Sequence, residues 1–257
     1  MHPLNEIRNV TRGKLLRNQT AIGLFHVSNN SMIAEACSML PIDWLMIDLE
    51  ASTATKESTL HILQALSGTK VSPFVRVPFL NKHYIEAFLD LGAHGILVPK
   101  IESREEAQEV VNAFYYPPSG NRGINPIRAT GYFHNTDNYL STANEEFLCM
   151  IQIESVKGVK NIEEIVNVPG IDVVFIGCGD LASSLGEPLN FTSQKFNDAI
   201  NTVLEATLTA GKIPGIFAYN MELAKRYFYQ GYRFIAIGNE IKSLTAGVTQ
   251  DIHNLFK

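Results

Sequence analysis

The 257 residues are 46% hydrophobic, with 21 Lys and Arg against 26 Asp and Glu, a net charge of −5 and a pI near 5.8. That balance offers no basic footprint to nucleic acid or to an anionic membrane surface, and no apolar run approaches the roughly 20 residues of a membrane helix, which leaves small molecules as the expected partners. Three widely spaced cysteines, Cys37, Cys149 and Cys178, form no CxxC pair and no disulfide framework, which fits a reducing, cytoplasmic setting.

The first 17 residues carry Arg8, Arg12, Lys14 and Arg17 without an apolar signal core and predict a short amphipathic helix. Short apolar runs rich in β-branched residues follow at AIGLFHV (21–27), DWLMIDL (43–49), SPFVRVP (72–78) and HGILVP (94–99). Four more stand at FLCMIQIE (147–154), DVVFIG (172–177), IPGIFA (213–218) and RFIAIG (233–238). Continuous hydrophobicity of this kind describes strands covered on both faces, as in a parallel sheet. Apolar residues at three- and four-residue spacing predict helices over 103–116, 156–166 and 221–231, and a last helix over 239–256. The first of these opens on a capping box, Ser103 with Glu106, and Gly231 closes the third.

Eight strands, each followed by a helix, predict one (β/α)8 TIM barrel over residues 1–257 with a short N-terminal helix. A doubly wound sheet competes through GCGDLA (177–182), which follows a strand, opens a helix and matches the dinucleotide fingerprint. In that reading Asp180 would sit against a pyrophosphate, and the stretch about 20 residues on reads as helix where a strand ending in a ribose-binding acid is needed. The barrel is the stronger account. One long irregular stretch, 117–139, lies between strands four and five and reads as an ordered loop over the barrel mouth.

Chemistry in such a barrel gathers at the C-terminal strand ends. The polar residues there are His26, Asp48 with Glu50, Arg76, Lys100, Gln152 with Glu154, Asp180 and Asn239. Glu154 and Asp180 close adjacent strands, where two carboxylates either share a proton, hold a hard cation, or cap the helices that follow. Arg76 interrupts a core strand and needs an acid: Asp48, Glu50, or a bound carboxylate or enolate. Lys100 is either a Schiff base amine or a solvated lysine. His26 is either a satisfied core histidine or a catalytic one, while His94 reads as a turn residue and His134 as surface. Gly120, Arg122 and Gly123 shape the long loop, with Arg122 also in reach of a second substrate carboxylate.

Several motifs in order resemble the HpcH/HpaI class II 2-keto acid aldolases over about residues 20–190. They are AEACSMLPIDWLMIDLE, VRVP, LDLGAHGILVPKIESREEA, YPPSGNRG, IQIES and FIGCGDLASSLG. The resemblance implies a carbon–carbon lyase whose divalent ion, Mg²⁺ before Mn²⁺ or Co²⁺, is bound by Glu154 and Asp180. It also implies a pyruvate-like 2-keto acid bound beside the ion, against Gln152, Gly177 and Asp180, with Arg76 on the developing enolate and Asp48 and Glu50 in the catalytic set. A hexamer or dimer with the last helix exchanged between subunits is implied as well, although the apolar face of that helix would equally cover its own barrel. The chain departs from the pattern twice. Cys178 stands where proline is usual, and Ala51 stands where the family reads histidine, whose partner corresponds to Asp90.

Loss of a general base typically costs about 100- to 10,000-fold. Three expectations follow: an aldolase with another base, such as His26; a citrate synthase-like condensation of oxaloacetate with acetyl-CoA, as in siderophore biosynthesis; or a catalytically silent metabolite-binding barrel.

Overall fold

A computed structural model describes residues 9–257. The eight strands are β1 (Ala21–His26), β2 (Trp44–Asp48), β3 (Ser72–Arg76), β4 (Gly95–Val98), β5 (Leu148–Ile153), β6 (Val173–Ile176), β7 (Ile213–Phe217) and β8 (Phe234–Asn239). They pair in parallel in chain order, and β8 returns to β1, closing a (β/α)8 barrel and ruling out the open doubly wound sheet. The helices are α1 (Val10–Leu16), α2 (Ser31–Ser38), α3 (Lys56–Ala65), α4 (Lys82–Asp90), α5 (Arg104–Phe114) and α6 (Thr136–Glu146), then α7 (Val156–Lys160), α8 (Ile162–Val166), α9 (Cys178–Ser184), α10 (Gln194–Thr209), α11 (Met221–Gln230) and α12 (Glu240–Leu255). The described part of the expected N-terminal helix is α1; Arg8 lies outside the described residues.

Strand alternation sorts the core into two layers. Inward residues such as Phe25, Trp44, Met46, Phe74, Phe175 and Phe234 fill the barrel, and the Trp44 and Phe234 rings stack 4.2 Å apart. Gly23 is required there, because a Cβ would collide with the Trp44 ring. Outward residues pack under the helices. Inward aromatics close the lower barrel, so any cavity must open above them, at the C-terminal mouth. Burial of this kind stabilises by about 1.5–3 kcal/mol for each large side chain.

Three expectations need correction. The predicted helix over 156–166 is two short helices, α7 and α8, broken at Asn161. The long irregular stretch ends at Asn135, where α6 begins, and none of its residues lines the mouth. It packs instead on the barrel's flank: Gly123 donates to Glu86 (2.6 Å), Arg128 donates to the carbonyls of Leu91 and Leu63, and Arg122 is buried against Asp90, Tyr139 and the Tyr116 ring. Arg122 therefore cannot reach a substrate carboxylate in this cavity. Finally, α12 does not cover its own barrel. Beyond Glu240 every residue of it is exposed, including Leu244, Val248, Ile252 and Leu255 along one face.

Candidate active site

The strand ends enclose a cavity of about 370 Å³. Register explains who meets there. Asp48 on β2 lies beside Arg76 on β3, and both continue the inward rows of Trp44, Met46 and Phe74. Arg76 donates through Nε and Nη2 to Asp48 at 2.9 and 2.6 Å and pairs through Nη1 with Glu50 at 2.9 Å. Asp48 also accepts the backbone N–H groups of Glu50 and Ala51, which fixes the turn after β2. Doubly tied to Asp48, a guanidinium keeps both its charge and its direction, and its carbon lies 4.9 Å from the Phe25 ring centroid.

Gln152 ends the inward row of β5, and Glu154 follows it into the cavity. Glu154 accepts hydrogen bonds from the Gln152 amide and, at 3.1 Å, from the backbone N–H of Lys100. Lys100 aims that N–H by adopting φ of 58°, a conformation rare for a side chain without special need. Burial pushes the Glu154 carboxyl up to about 7; Glu50 and Asp180 push the same way, against the Gln152 amide and the Arg76 charge.

Carboxylate oxygens of Glu50, Glu154 and Asp180 lie within 4.8 Å of one another. Like charges this close repel unless a cation sits among them. Two further observations fit an ion of the hard, oxygen-liganded kind: the buried Gln152 Oε1 has no partner, and Gly177 leaves a hollow where a Cβ would collide with Glu154 and Gln152. Glu50 as a member of this cluster was not evident from the motifs, although its two-residue offset from Asp48 put it on the same row.

Other sequence candidates are sorted by the same geometry. His26 is buried on the outward face of β1, opposite in phase to Phe25, with Nδ1 3.1 Å from Glu240 of α12; it does not line the cavity, so it is not the substitute base. Asp90 ends α4 and is held by Arg122, also outside the cavity. Lys100 extends into solvent and pairs with Glu50 at 3.1 Å; the hydrogen bond and charge of Glu50 raise its pKa, the opposite of the lowering that activates a Schiff base lysine. Cys178 lines the cavity as a thiol, pushed by burial up to about 12. Tyr219, two residues past Phe217 on the inward row of β7, also lines it and was missed.

The sequence pattern of HpcH/HpaI aldolase/citrate lyase matches residues 21–246. The chain belongs to that family. A hydroxypyruvate/pyruvate aldolase of Deinococcus radiodurans is 37% identical over 236 residues, 91% of this chain and 85% of that protein. A 4-hydroxy-2-oxovalerate aldolase of Rhodococcus jostii is 36% identical, covering 92% and 90%. The crystal structure of an HpcH/HpaI aldolase/citrate lyase family protein from Burkholderia cenocepacia superposes with a TM-score of 0.93 at 30% identity, over 97% of this chain and all of that one. This HpcH/HpaI protein is accordingly a carbon–carbon lyase of the keto acid aldolase type, and no helix among its described residues is long and apolar enough to cross a membrane.

Proposed function

We propose that the enzyme makes or breaks a carbon–carbon bond through the enolate of pyruvate or a related 2-keto acid, with Glu154 and Asp180 holding a divalent cation and Glu50 at its edge. Mg²⁺ is the first choice, and Mn²⁺ or Co²⁺ suit the same oxygen donors. The convergence of three carboxylates beside a fixed guanidinium carries the reading. A cation there supplies Lewis acidity towards the oxygens of the keto acid.

The chain's own residues do the rest. Asp48 holds Arg76 so that the guanidinium meets negative charge as it grows on the keto oxygen, which is where preorganised charge lowers a barrier most. Gln152 steadies Glu154 and keeps a buried Oε1 without a partner beside it, while Gly177 keeps that wall thin. Phe25 and Phe175 floor the pocket and keep water from beneath it. Three buried, unpaired cysteines suit a reducing, cytoplasmic setting.

Exchange of the pyruvate C3 protons with deuterated solvent, followed by NMR, tests this. Exchange is expected with Mg²⁺ present, to vanish on chelation and to return when the ion is restored. Full exchange in chelator would revive an amine mechanism, and no exchange under any condition would mark a silent barrel.

The exposed face of α12 supports a homo-oligomer, hexamer or dimer, in which this helix lies on a second copy. Ile241, Leu244, Val248, Ile252 and Leu255 repeat at three- and four-residue spacing on a helix that its own barrel leaves uncovered. Leu244→Asp with Val248→Asp is expected to lower the mass measured by light scattering to that of a smaller assembly. An unchanged mass would mean that the face serves something else.

A further inference from the structure

Arg76 and Tyr219 stand on opposite sides of the mouth. Arg76 ends β3 and Tyr219 follows β7, four strands away on a closed ring of eight, and both line the cavity. Arg76 is a charged donor fixed by acids, whereas Tyr219 is an uncharged donor fixed by rings and by a lysine. The Tyr219 ring stacks on Phe191 at 4.4 Å and meets Phe217 edge-on at 5.0 Å. The Lys242 ammonium donates to the Tyr219 carbonyl and stands 5.6 Å from the ring centroid.

The far end of this half-buried side chain reaches the segment that carries Asp180. A Cβ on Gly179 would collide with the Tyr219 hydroxyl, so the glycine is what admits the phenol there. The hydroxyl bonds to none of the described residues, although a phenol is protonated at neutral pH and is a ready donor. A held donor left open in a cavity is arranged for an acceptor that arrives with the ligand.

A 2-keto acid brings such an acceptor. With its keto oxygen toward Arg76 on the β3 side, its carboxylate lies on the other side of the keto carbon, toward β6 and β7, where Tyr219 stands. A hydroxyl donating to a carboxylate makes a charge-assisted bond, stronger than one between neutral groups. An uncharged donor also suits this place better than an ammonium or guanidinium, which would pair with Asp180 and compete with a cation for it.

Resting on the reading of the site above, we propose that Tyr219 is a binding residue for the keto acid, its hydroxyl donating to the carboxylate, and that Gly179 is the position that makes room for it.

C3 exchange of pyruvate by the full-length enzyme with Mg²⁺ gives KM and kcat separately. Tyr219→Phe keeps the ring and removes only the hydroxyl. KM for pyruvate is expected to rise about 10- to 100-fold, as for loss of a hydrogen bond to a charged group, while kcat stays within about threefold. Mg²⁺ affinity, followed by melting temperature without pyruvate, is expected to be unchanged. Gly179→Ala is expected to raise KM by pushing the hydroxyl aside, and to add little in the Tyr219→Phe background, because both changes break one bond. An unchanged KM in Tyr219→Phe overturns the proposal, and so do additive effects of the two substitutions. A fall in kcat at constant KM overturns it too, by placing the phenol on charge that develops during the reaction. Loss of Mg²⁺ affinity in Tyr219→Phe does the same, by making the phenol a support of the Asp180 segment. A wild type that exchanges no C3 protons strikes at the cation and enolate reading itself, and this inference falls with it.

Discussion

Replacing Ala51 with histidine is expected to raise retro-aldol turnover by about 100- to 10,000-fold, the range that a positioned general base typically contributes. Ala51 is exposed, lines the cavity and follows Glu50, so its Cβ carries any larger side chain into the space above Arg76 and the acid cluster. Its backbone N–H is already fixed on Asp48 Oδ1 at 3.2 Å, so the main chain need not move. A methyl group accepts no proton, whereas a neutral imidazole takes the proton of the aldol hydroxyl as the carbon–carbon bond breaks. The gain over the wild type should follow the fraction of neutral imidazole: low in acid, rising through about pH 6.5, and flat above, when Mg²⁺ is high enough to fill the Glu154 site at every pH. Steady-state kinetics on a pyruvate-releasing aldol between pH 5 and 8 reads both the size and the limb. In this subunit the imidazole would have Asp48 close by, because Asp90, the partner that the family resemblance implies, is held by Arg122 outside the cavity. No gain at any pH would mean that the absent imidazole is not what limits cleavage, and would turn attention to condensation chemistry.

The barrel was legible because strands buried on both faces read as unbroken apolar runs, and each observed strand falls within one residue of its run. The positions of Asp48, Arg76, Gln152, Glu154 and Asp180 at the mouth followed from where those runs stop. Strand phase separates the remaining candidates. His26 has a base's position because it ends a strand, yet Phe25 occupies the inward phase of β1 and sends its neighbour outward to Glu240. The same alternation, carried two residues past Phe217, would have found Tyr219. The segment of α6, TDNYLSTANEE, has the pattern of a loop because it offers only Tyr139 and Ala143 as a buried pair among Asn, Ser and Thr, which favour turns and caps when packing is not considered. The flank position of the preceding segment depends on Arg122 and Arg128 finding partners 32 and 37 residues away, and no local pattern encodes that.

Glu154→Gln is expected to weaken binding of Mg²⁺ or Mn²⁺ by about 100-fold or more, since disturbing even the outer partners of a metal site costs about 10- to 100-fold, and to take C3 exchange down with it. The more specific expectation concerns pH. The folded carboxyl titrates at about 7 against an ordinary value of 4.5, so the native, metal-free protein keeps a proton that the unfolded chain has released. Stability of that form should therefore fall as pH rises from 4.5 to 7, by about 3 kcal/mol in all, and then level. A cation reverses the trend because it binds the ionised acid. Its affinity should climb by up to about tenfold per pH unit below 7 and flatten above, as proton and ion compete for the same oxygens. Melting temperatures with and without Mg²⁺ at pH 5.5 and 8 separate these effects without reference to turnover. The ion should stabilise the wild type more at pH 8 than at pH 5.5, and the glutamine variant little at either. Equal stabilisation of both proteins at both pH values would place the ion away from Glu154, and the enolate chemistry would then need a different anchor.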